Sequence, residues 1–514
     1  MVKTKTLLSV LLAVLGFGAV APYSEPYRPY FHFSPRKNWT NDPCGIVFAG
    51  GKYHLFFQYN PFGDVWGHMS WGHATSSNLV NWTEQPVAIP EDSKGMIFTG
   101  SSVVDNANTS QLCDRGVHCV VSIFTGHTFK TATAPQRQNQ NLAVSQDGLV
   151  WQKYRDNPVL DRQLADFRDP KVFWHGPSKQ WVMVLALPAE HKVQIYGSKN
   201  LKQWEHLSDF GPEGTVGGEW ECPDLYQLPV DGDHGKTRWI LKIGINPGHL
   251  AGGSGEQYFV GQFDGRQLKN DNAKDKTLWL DYGRDCYCAL TFNNAPDPLK
   301  PSLIGWMDNW LYAGNTPTAP WRGQMTVPRN LTLRTTPDGL RLAQEPAPAL
   351  QALRYEPFSY KGHDVAELNR KTAQWQPGTK AFEAVVSVQP GAAKSVTWKL
   401  FQGDGEYTML GFDAVAHTLF VDRTKAAHAG FNSHFPSRTT APLAVTAGPL
   451  QLHILVDRSS IEVFAQQGTV TLTNLVYAKP ESTGISLEAA GGAPQALDIK
   501  MWKLKSSWET THTP

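Results

Sequence analysis

The sequence predicts an all-β chain, a five-bladed β-propeller followed by a β-sandwich. Three observations predict it. Helical periodicity is almost absent, and short β-rich runs separated by turn residues dominate, in keeping with 45 glycines and 35 prolines among 514 residues. A pair of strands recurs five times in the first two-thirds of the chain. Beyond Pro346, Pro348 and Pro357 the pattern changes to strict apolar–polar alternation.

Lys3 and Lys5 precede an apolar stretch, residues 6–20, and Ala19-Val20-Ala21 offers a small-x-small cleavage site. Residues 1–21 are expected to be a signal peptide and the mature chain to be secreted and extracellular. A membrane anchor is the alternative that the length disfavours, and no second apolar run is long enough to span a bilayer, so no membrane association is expected after cleavage. Four glycosylation sequons, at Asn38, Asn81, Asn108 and Asn330, fit that compartment. The net charge of +1 gives no electrostatic footprint for nucleic acid. Six cysteines make no disulfide scaffold and no zinc spacing; Cys113 and Cys119 flank a short loop and are placed to bridge.

Residues 22–345 carry the repeat. Its units open at Asp42, Gly100, Asp169, Glu221 and Asp285, spaced 58, 69, 52 and 64 residues apart. A four-stranded antiparallel blade needs roughly 40–65 residues. Each opening strand is followed by a nearly continuous apolar run, at 53–57, 119–124, 181–185, 239–243 and 303–306, as expected of strands buried on both faces. Three units then share Ser-x-(Asn/Asp)-x-x-x-Trp, at 76–82, 145–151 and 198–204, which reads as a polar turn into an outer strand. A large sandwich or barrel is the competing architecture. Residues 346–360 read as a linker, and 361–514 as the β-sandwich, with period-2 strands such as 450–456 joined by tight turns. Within it Asp457, Arg458 and Glu462 read as a turn-and-ion-pair cluster of one hairpin, not a second site.

Opening residues of propeller blades converge at one end of the central channel. Three of the five openings carry a carboxylate near a proline: Asp42-Pro43, Asp169-Pro170 and Glu221-Cys222-Pro223. Either Asp-Pro alone reads as a turn opener, and Glu221 alone as a surface residue. Equivalent positions in three blades bring them together, where like charges raise at least one pKa, an arrangement that points to chemistry rather than stability. Two carboxylates, one ionised and one protonated, are the equipment for cleaving a glycosidic bond. Trp39, Trp66, Trp71, Phe98, Trp220 and Trp306 fall near strand ends, where some would stack on sugar rings.

The stretches 39–45, 66–74, 98–101, 167–170 and 219–224, with 456–464 in the sandwich, resemble the ordered motifs of glycoside hydrolase family 32, and the likeness spans nearly the whole mature chain. The resemblance implies a retaining β-fructofuranosidase of the invertase, exo-inulinase or levanase type that removes terminal fructose from sucrose, inulin or levan. It implies Asp42 as nucleophile, Glu221 as acid/base and Asp169 as transition-state stabiliser. Asn41, Gln58, Trp66, Phe98, Ser101, Arg168 and Trp306 would surround the fructose. No metal or other cofactor is implied; the partner is a small fructoside or oligosaccharide, and a homodimer is left open. Cys44 departs from the motif, which has Asn there. That leaves a fructosyltransferase as the alternative, through poorer ordering of water by a weak S–H, unless Cys44 is simply packed or paired with Cys222. A sugar-binding propeller without activity is a further alternative, disfavoured because all three carboxylates are present.

Overall fold

The computed structural model describes residues 23–508 apart from 115–116, 118, 377–380 and 446–447. The expected signal peptide, residues 1–21, lies outside the described residues.

Five blades surround a channel, and their inner strands are β1 (Asn38–Ala49), β2 (Met96–Val104), β3 (Arg168–His175), β4 (Glu219–Val230) and β5 (Tyr287–Thr291). Each pairs antiparallel with the apolar run foreseen behind it: Lys52–Tyr59, Val120–Thr128, Gln180–Leu187, Asp233–Asn246 and Ser302–Trp306. The ring closes where Trp321–Arg322 pairs in parallel with the start of β1. The shared Ser-x-(Asn/Asp) turn is built as expected. Ser76 Oγ accepts from the amides of Asn78 and Leu79, and Asn78 Oδ1 from those of Val80 and Asn81. Ser145 with Asp147 and Ser198 with Asn200 repeat the pattern.

The ladder of every inner strand slips near its start: between Thr40 and Pro43, Ile97 and Gly100, Arg168 and Lys171, Glu221 and Asp224, and Tyr287 and Leu290. Asp169, Cys222 and Cys288 take positive φ there (67°, 50° and 44°). A bulge re-aims a side chain out of the alternation, and here it does so at the same level in all five blades.

Two sheets form the C-terminal sandwich. One holds Arg354–Gly362, Ala496–Leu504, Phe382–Gln389, Leu450–Asp457, Ser460–Ala465 and Val470–Leu475; the other holds Arg438–Pro442, Thr418–Asp422, Thr408–Asp413, Ser395–Gln402 and Gly484–Ala490. Two expectations are corrected. The stretch 346–360 is no open linker: Pro348–Leu353 forms a 3-10 turn, and Arg354–Gly362 already pairs with Ala496–Leu504. Pro357 misled the reading because it sits at a slip in that ladder, where a missing N–H is tolerated. The region beyond also holds an α-helix, α1 (Val365–Trp375), started by Asp364, whose side chain accepts from the amides of Ala366 and Glu367.

Asp457 and Glu462 also behave differently from expectation. Asp457 accepts from the amides of Tyr30 (2.7 Å) and Phe31 (3.1 Å) and lies 2.8 Å from His32 Nδ1. Glu462 lies 2.6 Å from His32 Nε2, accepts from Val327 N and pairs with Arg329. These groups are fully buried and clamp the sandwich to the propeller. Only Arg458 stays apart, its guanidinium over the Tyr30 ring. The hairpin sequence shows the charges but not partners more than 100 residues away.

Candidate active site

The bulges of β1, β3 and β4 bring Asp42, Asp169 and Glu221 to one end of the channel. Thr99 Oγ1 donates to Asp42 Oδ2 at 3.0 Å, whereas Asp42 Oδ1 is buried with no hydrogen-bond partner. Burial of the Asp42 carboxyl, then the negative charge of Glu221, pushes it up to about 7 against the hydrogen bonds from Asn41 and Thr99. Asp169 Oδ2 accepts from the amide of Cys222 at 2.9 Å, and the Asp169 amide donates to Thr125 Oγ1 at 3.0 Å. Burial also lifts Asp169 to about 7, with Arg168 opposing and Glu221 reinforcing the shift. The like-charge effect expected of the cluster thus falls on Asp42 and Asp169.

Glu221 is held on both sides. Arg168 donates to its Oε1 from Nε (3.1 Å) and Nη2 (2.9 Å), and the Tyr287 hydroxyl donates to its Oε2. Arg168 also reaches Glu219 and Asp166, so a single guanidinium organises three acidic side chains. Its four carboxylate contacts hold it charged, and its own pKa is raised.

The remaining expected residues divide into three groups. Asn41 accepts from Trp39 Nε1 at 2.8 Å, which fixes its amide beside Asp42. Trp66 is 41% exposed and meets Phe98 edge-to-face at 6.2 Å; Phe98 in turn stacks on His127 at 4.3 Å, forming an aromatic rim. Trp306 is fully buried against Trp39 and Trp310, yet its Nε1 has no partner. Ser101 and Gln58 are also buried. Ser101 Oγ accepts from Val172 N at 2.9 Å and so joins β2 to β3; Gln58 Nε2 sits 3.8 Å from Cys44 Sγ. Of the other tryptophans, Trp71 and Trp220 are core, their Nε1 groups spent on the carbonyls of Phe98 and Thr215.

The sulfurs resolve an open question. Cys113 pairs with Cys119, and Cys222 with Cys288, so Cys222 is not Cys44's partner. Cys44 is wholly buried among Val47, Phe56, Trp71 and Phe124, and burial pushes its thiol up. It packs as a small apolar residue behind Asp42. Among the described residues, Asp42, Cys222 and Cys288 are the one set of potential ligand atoms close enough to share an ion. The two sulfurs are spent on each other, which leaves a single carboxylate and no donor set for a metal.

Sequence reasoning missed Tyr287, Thr99 and the Cys222–Cys288 bridge. Tyr287 occupies in the fifth blade the level that Asp42, Asp169 and Glu221 occupy in theirs. Aligning all five openings, instead of only the charged ones, brings it out.

Behind this level lies a buried ionic floor. Lys171 pairs with Asp224 at 3.2 Å and Lys242 with Glu256 at 3.3 Å. Lys171 also donates to Thr291 Oγ1, Lys242 to the carbonyl of Cys222, and Asp224 and Glu256 accept from the β5 amides of Thr291 and Ala289. The floor ties β3, β4 and β5 together directly under the carboxylates.

Known proteins resemble the chain along nearly its whole length. Residues 32–346 match the description "Glycosyl hydrolases family 32 N-terminal domain" and residues 349–503 match "Glycosyl hydrolases family 32 C terminal". A levanase of Bacillus subtilis is 42% identical over 98% of this chain and 74% of its own length. An extracellular exo-inulinase of Aspergillus ficuum is 38% identical over 96% of this chain and 98% of its own. Among solved structures, exo-inulinase from Aspergillus awamori superposes with a TM-score of 0.87 at 35% identity, covering 95% of this chain and 100% of that one. The β-fructofuranosidase of Schwanniomyces occidentalis complexed with fructosyl-erythritol gives 0.82 at 32% identity, covering 94% and 99%.

Proposed function

The chain belongs to glycosyl hydrolase family 32, and from the geometry of its carboxylates we propose how it acts. It is a glycosidase that releases fructosyl residues from sucrose or fructans. Asp42 is the nucleophile: Thr99 holds Oδ2, and Oδ1 is left to attack C2 of the fructosyl unit. As the C2–O bond breaks, Glu221 gives its proton to the departing oxygen, and a fructosyl ester forms on Asp42. Water then attacks C2, Glu221 takes its proton, and Asp42 leaves. Two displacements return the original configuration at C2.

Asp169 and Arg168 serve as the grip on fructose hydroxyls, with Arg168 and Tyr287 orienting Glu221 between its acid and base roles. Asn41, Gln58, Ser101 and Trp306 form the floor around the sugar, and Trp66 and Phe98 the rim. One observation carries the reading: a buried carboxylate oxygen on Asp42 and a buried indole N–H on Trp306 both lack partners at the mouth where three carboxylates converge. These two unpartnered atoms suit an electrophilic carbon and a hydroxyl.

Cys44, wholly buried with Gln58 Nε2 3.8 Å from its sulfur, is read as packing behind the carboxylates, with hydrolysis as the main outcome. A rim with a half-exposed tryptophan beside the three carboxylates supports removal of one terminal fructose at a time. The extracellular relatives support secretion, with residues 1–21 as the signal. The test is substitution: Asp42→Ala or Glu221→Ala lowers turnover on sucrose by about 10³-fold or more while the melting transition is retained. Near-normal turnover by folded Asp42→Ala ends this mechanism.

A further inference from the structure

The channel has a second mouth. Five residues along β3 from Asp169, roughly 16 Å away at the rise of a strand, lies Trp174. It helps to line a cavity of about 540 Å³ formed by the far ends of β2, β3 and β4 and the segment after β5. The Lys171–Asp224 pair and Thr291, all buried, separate this cavity from the carboxylates.

Its walls have a distinct chemistry. Phe173, Trp174, Trp181, Tyr226, Trp239 and Phe292 supply aromatic surface. Trp174 stays 45% exposed, edge-to-face with Trp181 at 5.2 Å. Tyr226 is 7% exposed and its buried hydroxyl has no partner, a donor and acceptor that the protein itself leaves unused. The lining carries one charged residue, Asp105, and its carboxylate is occupied by Thr109 and Ser110. Flat aromatic faces, a free hydroxyl and no available charge suit a neutral, polyhydroxylated ligand with apolar ring faces, and not an anion or a charged peptide.

We propose that this mouth is a second, non-catalytic carbohydrate site that holds a segment of a fructan chain. The ligand identity rests on the substrate reading above. A polymer retained there raises the local concentration of chain ends at the catalytic mouth without new chemistry.

The experiment uses the full chain. Affinity electrophoresis in gels containing inulin or levan is run on Glu221→Gln protein, so that the polymer is not consumed. Adding Trp174→Ala weakens retardation by about fivefold, the worth of one aromatic stacking contact. Trp174→Phe restores most of it. Tyr226→Phe also reduces retardation while leaving the melting temperature at or above that of the parent, because the lost hydroxyl bonds nothing in the protein. In otherwise wild-type protein, Trp174→Ala raises KM on inulin or levan and leaves kcat and KM on sucrose unchanged. Retardation of Trp174→Ala and Tyr226→Phe equal to the parent overturns the second site and leaves the catalytic reading standing. A wild type that releases no fructose from sucrose or fructan overturns the catalytic reading, and this ligand with it.

Discussion

Asp42 is stabilised least in the form that catalysis needs. Burial and Glu221 push its carboxyl from 3.8 to about 7, so the folded protein holds this proton more tightly than the unfolded chain does. The contribution to stability is therefore full below the unfolded value and is lost as pH rises through about 7. Asp42→Asn removes that penalty and keeps a group for Thr99 to bond. It is expected to melt higher than wild type at pH 8, by about 2 kcal/mol of stability, with the gain gone near pH 4. Melting curves at the two pH values check this, and an equal increment at both contradicts it. The same charge coupling predicts a kinetic shift. In Glu221→Gln, Asp42 loses its nearest repelling charge, so the acidic limb of kcat/KM moves to lower pH. The assay needs a fructosyl donor whose leaving group departs without a proton, because the acid is missing. An unmoved limb would mean that Glu221 does not act on Asp42. Both residues were legible in the sequence because charge at a repeated position is conspicuous. Tyr287 was not, since a tyrosine at the same level looks like any strand residue.

Blades are specified by turns and bulges more than by their apolar runs. The Ser-x-(Asn/Asp) turn places its fourth residue at positive φ in all three copies: Leu79 (68°), Gly148 (77°) and Leu201 (61°). Two leucines accept that conformation, so glycine at 148 answers another demand. A Cβ there would come within 2.7 Å of His54 Cε1. That ring is pinned by a 3.0 Å contact with His73 and by stacking on Phe56 and His73. Gly148→Ala is expected to cost about 1–3 kcal/mol although leucine is native at the equivalent positions. Denaturant unfolding of Gly148→Ala beside Leu79→Ala measures it, and a neutral Gly148→Ala would show that the His54 ring yields. The repeat itself was legible because these turns share residue types at fixed offsets. The bulges were not, because a one-residue slip depends on how two strands pair, and neither strand alone records it.

At the scale of the molecule, the sandwich is docked through buried charge. Arg423 and the Leu475 amide bind Asp285 and Thr473 binds Asp281, both in the segment that leads into β5 and Tyr287, and Glu462 binds Arg329. Tyr287, whose hydroxyl holds Glu221, is thus two residues removed from Asp285 at the domain interface, so the sandwich supports the strand that carries it. Cutting the sandwich away would break Arg329–Glu462 and Asp285–Arg423, at about 3–5 kcal/mol for each broken buried pair, while Arg329–Asp281 stays within the propeller. The sequence showed half of each pair and could not show the other. His32 makes the docking sensitive to pH. Burial alone would lower its pKa, but Asp457 and Glu462 on its two nitrogens raise it from 6.5 to about 9. Its stabilisation is full below the unfolded value and is lost as pH rises through about 9, a window above that of Asp42 and Asp169, whose contribution is already spent by then. Thermal melts from pH 7 to 10 should therefore fall in wild type, and fall less steeply in His32→Gln, which keeps two hydrogen-bonding atoms but no titration. Parallel slopes in the two proteins would place the alkaline loss elsewhere than in the His32 clamp.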